Sequence, residues 1–525
     1  MKNVIDITPI KNELPSSFAE RLGAHYSSLV SATHKKKYGQ FFTPLRIASF
    51  MASLYKCVGS KLKILDPGCG TGVLSCAVIE AVLNYQKQPD EIEIVVYETD
   101  HTVIPFTEVS LNYLKKWLHV RGVKFTYILH QSDFVLANSD TLENQDRKIE
   151  YYDLVIANPP YFKMQKKDSR ARVSDSIVHG QPNIYSIFLY TAATLLKENG
   201  QLIFITPRSF TSGLYFRLFR EKFFSLVQLD FVHLFESRKE AFQKDDVLQE
   251  NVIISARSSK RNGKRNSVVI SSSNGAWDLE QRSERTFNLD ELFDQTSHQK
   301  ILHLPVSDEE AKVVRLFKSW KGNLNAYNIQ ISTGPVVSFR AKRYIYSEPK
   351  QDIQLAPLSL LYNTTKMNWM WPVDKNGKGQ YIQVCDQTKP ILIPNKNYIF
   401  LRRFSSKDDK SRLIATPYFA DSVDTDVIGV ENHLNYIYRL NGHLDRNEIL
   451  GLATLLNSSL FDIYFRTFNG NINVSATELR EMPLPPLETI KEIGNALILN
   501  NNFAPSIVDS IVYQFFEQHK EPSFA

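Results

Sequence analysis

Ten residues constrain this chain more than any others: Asp153-Leu154-Val155-Ile156-Ala157-Asn158-Pro159-Pro160-Tyr161-Phe162. Leu154, Val155 and Ile156 form a short apolar run, the pattern of a strand buried in a parallel sheet. Two prolines then end it, because proline lacks an N–H and fixes its own φ. The first of them also pushes Asn158 toward extended backbone. The strand must therefore stop at a sheet edge, with a side-chain amide, the Pro159 carbonyl and the Tyr161 ring held in a stiff loop. In open α/β sheets ligands sit at the carboxyl ends of the strands. An amide oxygen and a constrained carbonyl are two acceptors for the two hydrogens of an exocyclic amine. Tyr161 can stack on the ring that carries it. A plain strand-to-loop turn with a satisfied asparagine would use the same residues, so the rest of the chain has to decide.

Upstream, the elements of a nucleotide-type site arrive in order. Lys63-Ile64-Leu65-Asp66 reads as a strand ending in an acid. The glycine loop Pro67-Gly68-Cys69-Gly70-Thr71-Gly72 and a helix from Leu74 to Leu83 follow. Gly68 and Gly70 permit a tight turn and close approach of backbone to ligand. The spacing is not the G-x-G-x-x-G of dinucleotide enzymes. A second strand, Ile92–Tyr97, ends at Glu98, a carboxylate placed to accept both hydroxyls of a ribose. A third, Phe125–Leu129, leads to Asp133 and Phe134. Before all of these, Ser17 and Glu20 have capping-box spacing in a helix over 15–34. Tyr38-Gly39-Gln40-Phe41-Phe42-Thr43-Pro44 then leads into a further helix, with Thr43 expected at its cap. A helix N-terminus of that kind takes anions.

After the Asn158 loop comes a basic stretch with Lys163, Lys166, Lys167, Arg170 and Arg172, placed to meet phosphates. A helix over Tyr185–Leu196 is expected to close at Gly200, and the strand Gln201–Thr206 follows. Asn251-Val252-Ile253-Ile254 reads as another strand. Residues 257–300 break the pattern, and Arg257–Ser267 within them reads as a basic hairpin tip or linker. Ser307-Asp308-Glu309-Glu310 caps a helix bearing Val313, Leu316, Phe317 and Trp320. Beyond it, basic and aromatic residues interleave at Phe339–Tyr344 and Phe400–Lys407.

Asn158-Pro159-Pro160-Tyr161 resembles motif IV of the amino-methyltransferases, Asp66–Gly72 resembles motif I, and Tyr38–Pro44 resembles motif X. Their order is that of the gamma-class DNA adenine N6-methyltransferases of type II restriction–modification systems. Ser332–Val336, Arg402–Lys407, Glu431-Asn432-His433 and Asn469-Gly470-Asn471 are similar to the target-recognition half of the PstI/BsuBI branch. The resemblance implies a doubly wound, Rossmann-like α/β methyltransferase domain over 1–300 and a mixed α/β target-recognition domain over 301–525. It implies S-adenosyl-L-methionine as cofactor, held by Phe41, Thr43, Asp66, Gly68, Gly70, Glu98, Asp133 and Phe134. It makes Asn158, Pro159, Pro160 and Tyr161 the catalytic loop. Phe242, with Phe235 in reserve, is expected against a flipped-out base. Double-stranded DNA is the implied substrate, CTGCAG the implied target, and a cognate restriction endonuclease the implied partner.

Composition fits that expectation without demanding it. The 525 residues carry a net charge of +6, compatible with a polyanionic partner. Four cysteines make neither a disulfide scaffold nor a zinc site. No apolar run is long enough to span a bilayer. We expect a cytoplasmic, metal-free monomer. Two other readings share the motifs: a protein glutamine methyltransferase, and a catalytically silent nucleic-acid-binding protein on the same fold.

Overall fold

The computed structural model describes residues 6–56, 59–85, 88–143, 151–178, 180, 182–236, 250–259, 267–293, 299–373, 378–406 and 408–516. The chain divides into two compact units, Met1–Val306 and Ser307–Ala525.

The first unit is built on one nine-stranded sheet. Its strands are β1 (Lys61–Asp66), β2 (Glu91–Tyr97), β3 (Lys124–His130), β4 (Tyr152–Ala157), β5 (Leu196–Pro207), β6 (Val227–Phe235), β7 (Asn251–Ser258), β8 (Ser267–Ser273) and β9 (Ser283–Asn288). They lie in the order β3-β2-β1-β4-β5-β7-β6-β8-β9. The first five run parallel, while β7 is antiparallel to both its neighbours. This is the doubly wound α/β fold expected from the strand and helix signals. Ile64 pairs with Leu154 and Leu65 with Val155, so the Asn158 strand lies beside the glycine-loop strand. Their loops therefore leave the same sheet edge. Leu154, Val155, Ile156 and Ala157 are wholly buried, because β4 is covered on both faces.

Helices α1 (Pro15–Leu29), α2 (Ala32–Tyr38), α3 (Leu45–Ser53), α4 (Val73–Val82), α5 (Ile104–His119) and the short α6 (Phe134–Ala137) frame that edge. Side chains of α3, α4 and α5 form one core with Ile64, Ile94, Ile156, Ile203 and Ile253. The helix Ile184–Thr194 packs against β5 and has no side chain in that core, so it covers the opposite face.

Several local expectations are corrected. The helix expected over 15–34 is two helices. The first has Pro15 at its first position and no side-chain cap. The second is capped by Ser31, which accepts from the His34 N–H. Glu20 instead accepts the Leu45 N–H at 2.9 Å, tying α1 to the start of α3. Thr43 is not the cap of α3; Pro44 is, and the Thr43 hydroxyl serves Asn158. The helix meant to close at Gly200 ends at Thr194. Asn199 takes the left-handed backbone there, with φ 62°. Gly200 is needed for space, since a Cβ on it would lie 2.9 Å from the Tyr152 carbonyl oxygen. Within the stretch 257–300, where the sequence pattern breaks, β8 and β9 extend the sheet.

The second unit holds an antiparallel sheet of Ile329–Thr333, Leu434–Arg439, Tyr398–Arg402 and Ala415–Tyr418. A mixed sheet joins Leu355–Ser359 and Val427–Val430 with three short strands. Ser307 caps the helix Asp308–Ser319 as the sequence indicates, accepting from Glu310 N–H. Phe317 of that helix stacks on Tyr464 at 3.8 Å, joining it to the helix Ser459–Phe468.

Candidate active site

At the carboxyl edge of β1, β2 and β4 the chain forms a cleft. Tyr38–Thr43, the Pro67–Leu74 loop, Tyr97–Thr99, Ser132, Phe134, Asn158, Pro160 and Phe188 line it. Of the residues singled out in the sequence, Phe41, Thr43, Gly68, Gly70, Glu98, Phe134, Asn158 and Pro160 thus meet in one place.

The glycine loop reaches the cleft because its backbone turns where side chains are strained. Gly70 has φ +52°, and a Cβ there would come within 3.0 Å of the Phe42 ring. Asp66, just before the loop, is fully buried. Its Oδ2 accepts from the Ser75 hydroxyl at 2.7 Å. Its Oδ1 has no partner. Burial pushes the carboxyl up to about 7, opposed by the Ser75 hydroxyl and the Gly68 N–H. Glu98 is pinned by three backbone N–H groups, of Gly70 at 3.1 Å, Thr99 at 2.7 Å and Asp100 at 2.8 Å. Burial nevertheless raises its carboxyl above the ordinary range. Phe134 is buried, edge-on to Tyr97 and tilted against Phe188. Asp133 turns to other work: it caps α6 through Leu136 N–H and pairs with Arg170 at 3.4 Å.

Asn158 is held by both ends of its amide. Nδ2 donates to the Phe41 carbonyl at 2.9 Å and to the Thr43 hydroxyl oxygen at 3.1 Å. The Tyr161 hydroxyl donates to Oδ1, and lies 3.0 Å from the Ile205 carbonyl. Two acceptors on the nitrogen fix which way the amide faces. A carbonyl oxygen has two lone pairs, so Oδ1 retains one beyond the Tyr161 bond. The loop behind it is equally fixed. Gly39, in the left-handed region at φ +63°, sits so close to the Asn158 loop that a Cβ would lie 2.9 Å from Phe162 and 3.1 Å from Pro160.

Tyr161 differs from the expectation of an open stacking platform. The residue is 8% exposed, and its ring stacks on Phe41 with centroids 5.9 Å apart. Its hydroxyl is the part that touches Asn158. Phe242 lies outside the described residues, and its reserve Phe235 is a core residue set edge-on to His233. In the basic stretch, Arg170 is committed internally, to Asp168 at 2.7 Å and over the Phe162 ring. Lys163, Lys166, Lys167 and Arg172 are exposed. In the second unit, Arg402 donates to the Thr364 carbonyl and buried Arg412 to Asn469, so these two support loops.

Sequence reading missed Asp100. It is buried and accepts from Tyr26 at 2.6 Å, His34 at 2.7 Å and Gln40 at 2.7 Å. Burial pushes its carboxyl up, but hydrogen bonds from Tyr26, Thr102 and His34 outweigh that and hold it well below the ordinary range. Asp100 thereby clamps α1, α2 and the Gln40 loop to the end of β2, two residues after Glu98. A signal was present, since an acid so near a strand end needs partners. Nothing local reveals that those partners lie 60 or more residues away.

A doubly wound sheet whose glycine loop, paired acids and oriented amide converge at one carboxyl edge defines an α/β enzyme of the methyltransferase fold. The Eco57I restriction-modification methylase family matches residues 83–242. The type II methyltransferase M.PstI of Providencia stuartii is 31% identical, over 93% of this chain and 94% of its own length. M.BsuBI of Bacillus subtilis is 30% identical, over 89% and 91%. A solved DrdV–DNA complex covers 94% of this chain and 60% of its own at 13% identity, with a TM-score of 0.47. The chain belongs to the type II methyltransferases of restriction–modification systems, in the branch of M.PstI and M.BsuBI.

Proposed function

We propose that this DNA methyltransferase acts on the N6 amine of an adenine, using S-adenosyl-L-methionine, within one short duplex sequence. The observation that carries the reading is the fixed amide of Asn158. Its oxygen, with the Pro159 carbonyl next in the chain, offers two acceptors to the two hydrogens of an exocyclic amine. That geometry draws the nitrogen lone pair out of the ring and toward an electrophile. Tyr161 orients Asn158 through its hydroxyl. Its stacking on the base requires the ring to exchange Phe41 for the base.

The cleft residues suit the donor. Behind the lining, at the foot of the glycine loop, the partnerless, buried Asp66 Oδ1 is the acceptor an ammonium would satisfy. Glu98 is positioned by N–H groups to take ribose hydroxyls, and Phe134 with Phe188 forms an apolar wall for an adenine ring. Bound there, S-adenosylmethionine supplies an electrophilic methyl group on a sulfonium. The chain's contribution is positioning and fixed polar groups set before reaction. An adenine inside a stacked duplex cannot reach Asn158, so it must be flipped out. The N-terminal unit is then catalytic and the C-terminal unit reads sequence.

The test is tritium transfer from labelled S-adenosylmethionine to unmethylated genomic DNA, with the modified base and its context sequenced. N6-methyladenine in one motif, CTGCAG if the PstI-branch resemblance extends that far, is expected. Label in cytosine, or in protein instead of DNA, overturns the reading.

A further inference from the structure

The second unit carries a groove of about 910 Å³, lined by none of the cleft residues. Lys342 and Lys378 stand on its lining, and Phe339 and Phe404 are exposed there by 76% and 37%. Arg340, beside Phe339, is also exposed. Cations beside unburied aromatic rings suit a polyanion whose interior is apolar and aromatic.

One polar group in the groove is held for directional recognition. Glu431 is buried, and its carboxylate accepts from the Ser338 hydroxyl at 2.7 Å and from His433 Nδ1 at 3.1 Å. A carboxylate on Nδ1 sets the imidazole's orientation and leaves Nε2 as the outward atom. The His433 side chain is 48% exposed, its ring edge-on to Phe404. The turn beneath it is rigid. Glu431 N–H donates to the Ser359 carbonyl, Asn432 N–H to that of Val336, and Arg403 N–H to that of His433, at 3.0, 2.9 and 3.0 Å. Gly334 packs so tightly that a Cβ would collide with the Glu431 carbonyl oxygen. Such support is what a base-reading side chain needs, and surface charge alone does not require it.

We infer that this groove takes duplex DNA, with His433 making the base-edge contact that Glu431 orients and Lys342 and Lys378 meeting phosphates. The inference rests on the reading of the chain as a sequence-specific DNA methyltransferase.

The experiment compares full-length wild type with His433→Ala, His433→Gln and Lys342→Ala/Lys378→Ala. Duplex affinity is measured across a salt series, for the chain's own methylated motif and for unrelated DNA, and the methylated sites are sequenced. Unchanged circular dichroism and thermal unfolding of the second unit check that each variant is folded. The lysine pair should lose affinity equally for every sequence, and its slope of log K against log salt should fall by roughly 2. His433→Ala should lose roughly tenfold or more for its own motif alone, and the methylated motif should become degenerate at one base pair. His433→Gln should keep part of the discrimination. Wild-type salt slope and an unchanged motif in all three folded variants overturn the proposal. Equal loss by His433→Ala on every DNA overturns its reading role. Absence of DNA methylation by wild type overturns the proposed function instead, and leaves the affinity and salt measurements to decide the groove.

Discussion

The cleft of the first unit and the groove of the second are opposites in electrostatic design. The cleft is lined by half-buried Glu98 on three N–H groups and backed by two buried acids, Asp66 with one oxygen unpartnered and Asp100. The groove presents exposed lysines and aromatic rings, with its single buried acid turned inward onto His433. A buried charge carries its desolvation cost in the folded protein and is little screened by salt. An exposed cation costs little to maintain and is screened over about 10 Å at 0.1 M salt. The contrast suits two ligands, one small and locally cationic, the other long and anionic. Binding in the cleft should depend on pH and hardly on salt. Binding in the groove should weaken steeply with salt.

The largest effect should come from Asn158, the cleft residue proposed to hold the target amine. On the proposed reading Asn158→Ala removes one of two acceptors for the amine, and losses for one preorganised polar group run about 10²–10³ in kcat. Single-turnover methylation should fall by at least that much. Affinity for S-adenosylmethionine and for DNA, each measured by titration, should change little. A proportionate loss of cofactor affinity would show that Asn158 belongs to the cleft alone.

Asp66→Asn comes next and sharpens the comparison through pH. The folded carboxyl ionises near 7, whereas an unfolded one ionises near 4. Between those values the unfolded state is charged and the folded state is not. The side chain therefore stabilises the fold most below pH 4, loses that contribution as pH rises to about 7, and is constant above. The ligand-free Asp66→Asn variant should gain on wild type over that window, by roughly a few kcal/mol at full effect. Calorimetric Tm at pH 5 and pH 8 checks this. Wild-type affinity for S-adenosylmethionine should climb through pH 7, as the carboxylate forms opposite an ammonium. The variant's affinity should be flat and about tenfold or more weaker at pH 8. A pH-independent difference would mean that Asp66 is not the titrating group.

These two sites also differ in how far the amino-acid sequence reveals them. The cleft's parts are local: a strand, its terminal acid and a glycine loop lie within a dozen residues, and Asn158 is marked by the prolines after it. Each announces itself by apolar run and turn chemistry. What is not local stayed hidden. Asn158 depends on the Phe41 carbonyl and Thr43, more than 110 residues earlier. The burial of Tyr161 against Phe41 follows from that long-range packing, not from its motif. Gly200 invited a helix end six residues beyond the true one at Thr194, and the left-handed residue beside it, Asn199, lies within β5. In the second unit the strands are often two to five residues long, too short for a period to emerge. Arg402 and Arg412 show the consequence, since charge in sequence gave no sign that both serve backbone carbonyls or loop asparagines.

The smallest predicted effect isolates the clamp that gives the cleft its shape. Asp100 lies two residues beyond Glu98 and bonds to α1, α2 and the Gln40 loop at once. Burial raises the Tyr26 hydroxyl to about 12, helped by the Asp100 carboxylate that accepts from it. Tyr26→Phe removes the hydroxyl that donates to Asp100, with its contacts to Thr102 Oγ1 at 2.9 Å and His34 Nε2 at 3.2 Å, while keeping the ring packed on Phe42 and Phe106. Asp100 retains His34, Gln40 and Thr102, so the charge-assisted hydrogen bond dominates the cost, about 1.5–3 kcal/mol, with the weaker contact to Thr102 adding to it. Denaturant unfolding checks this figure. Because the Gln40 loop carries Phe41 and Thr43, the same change should loosen the amide of Asn158 and lower kcat a few-fold, leaving groove affinity for DNA untouched. Equal loss at cleft and groove would mean that Tyr26 supports the whole fold and not the cleft.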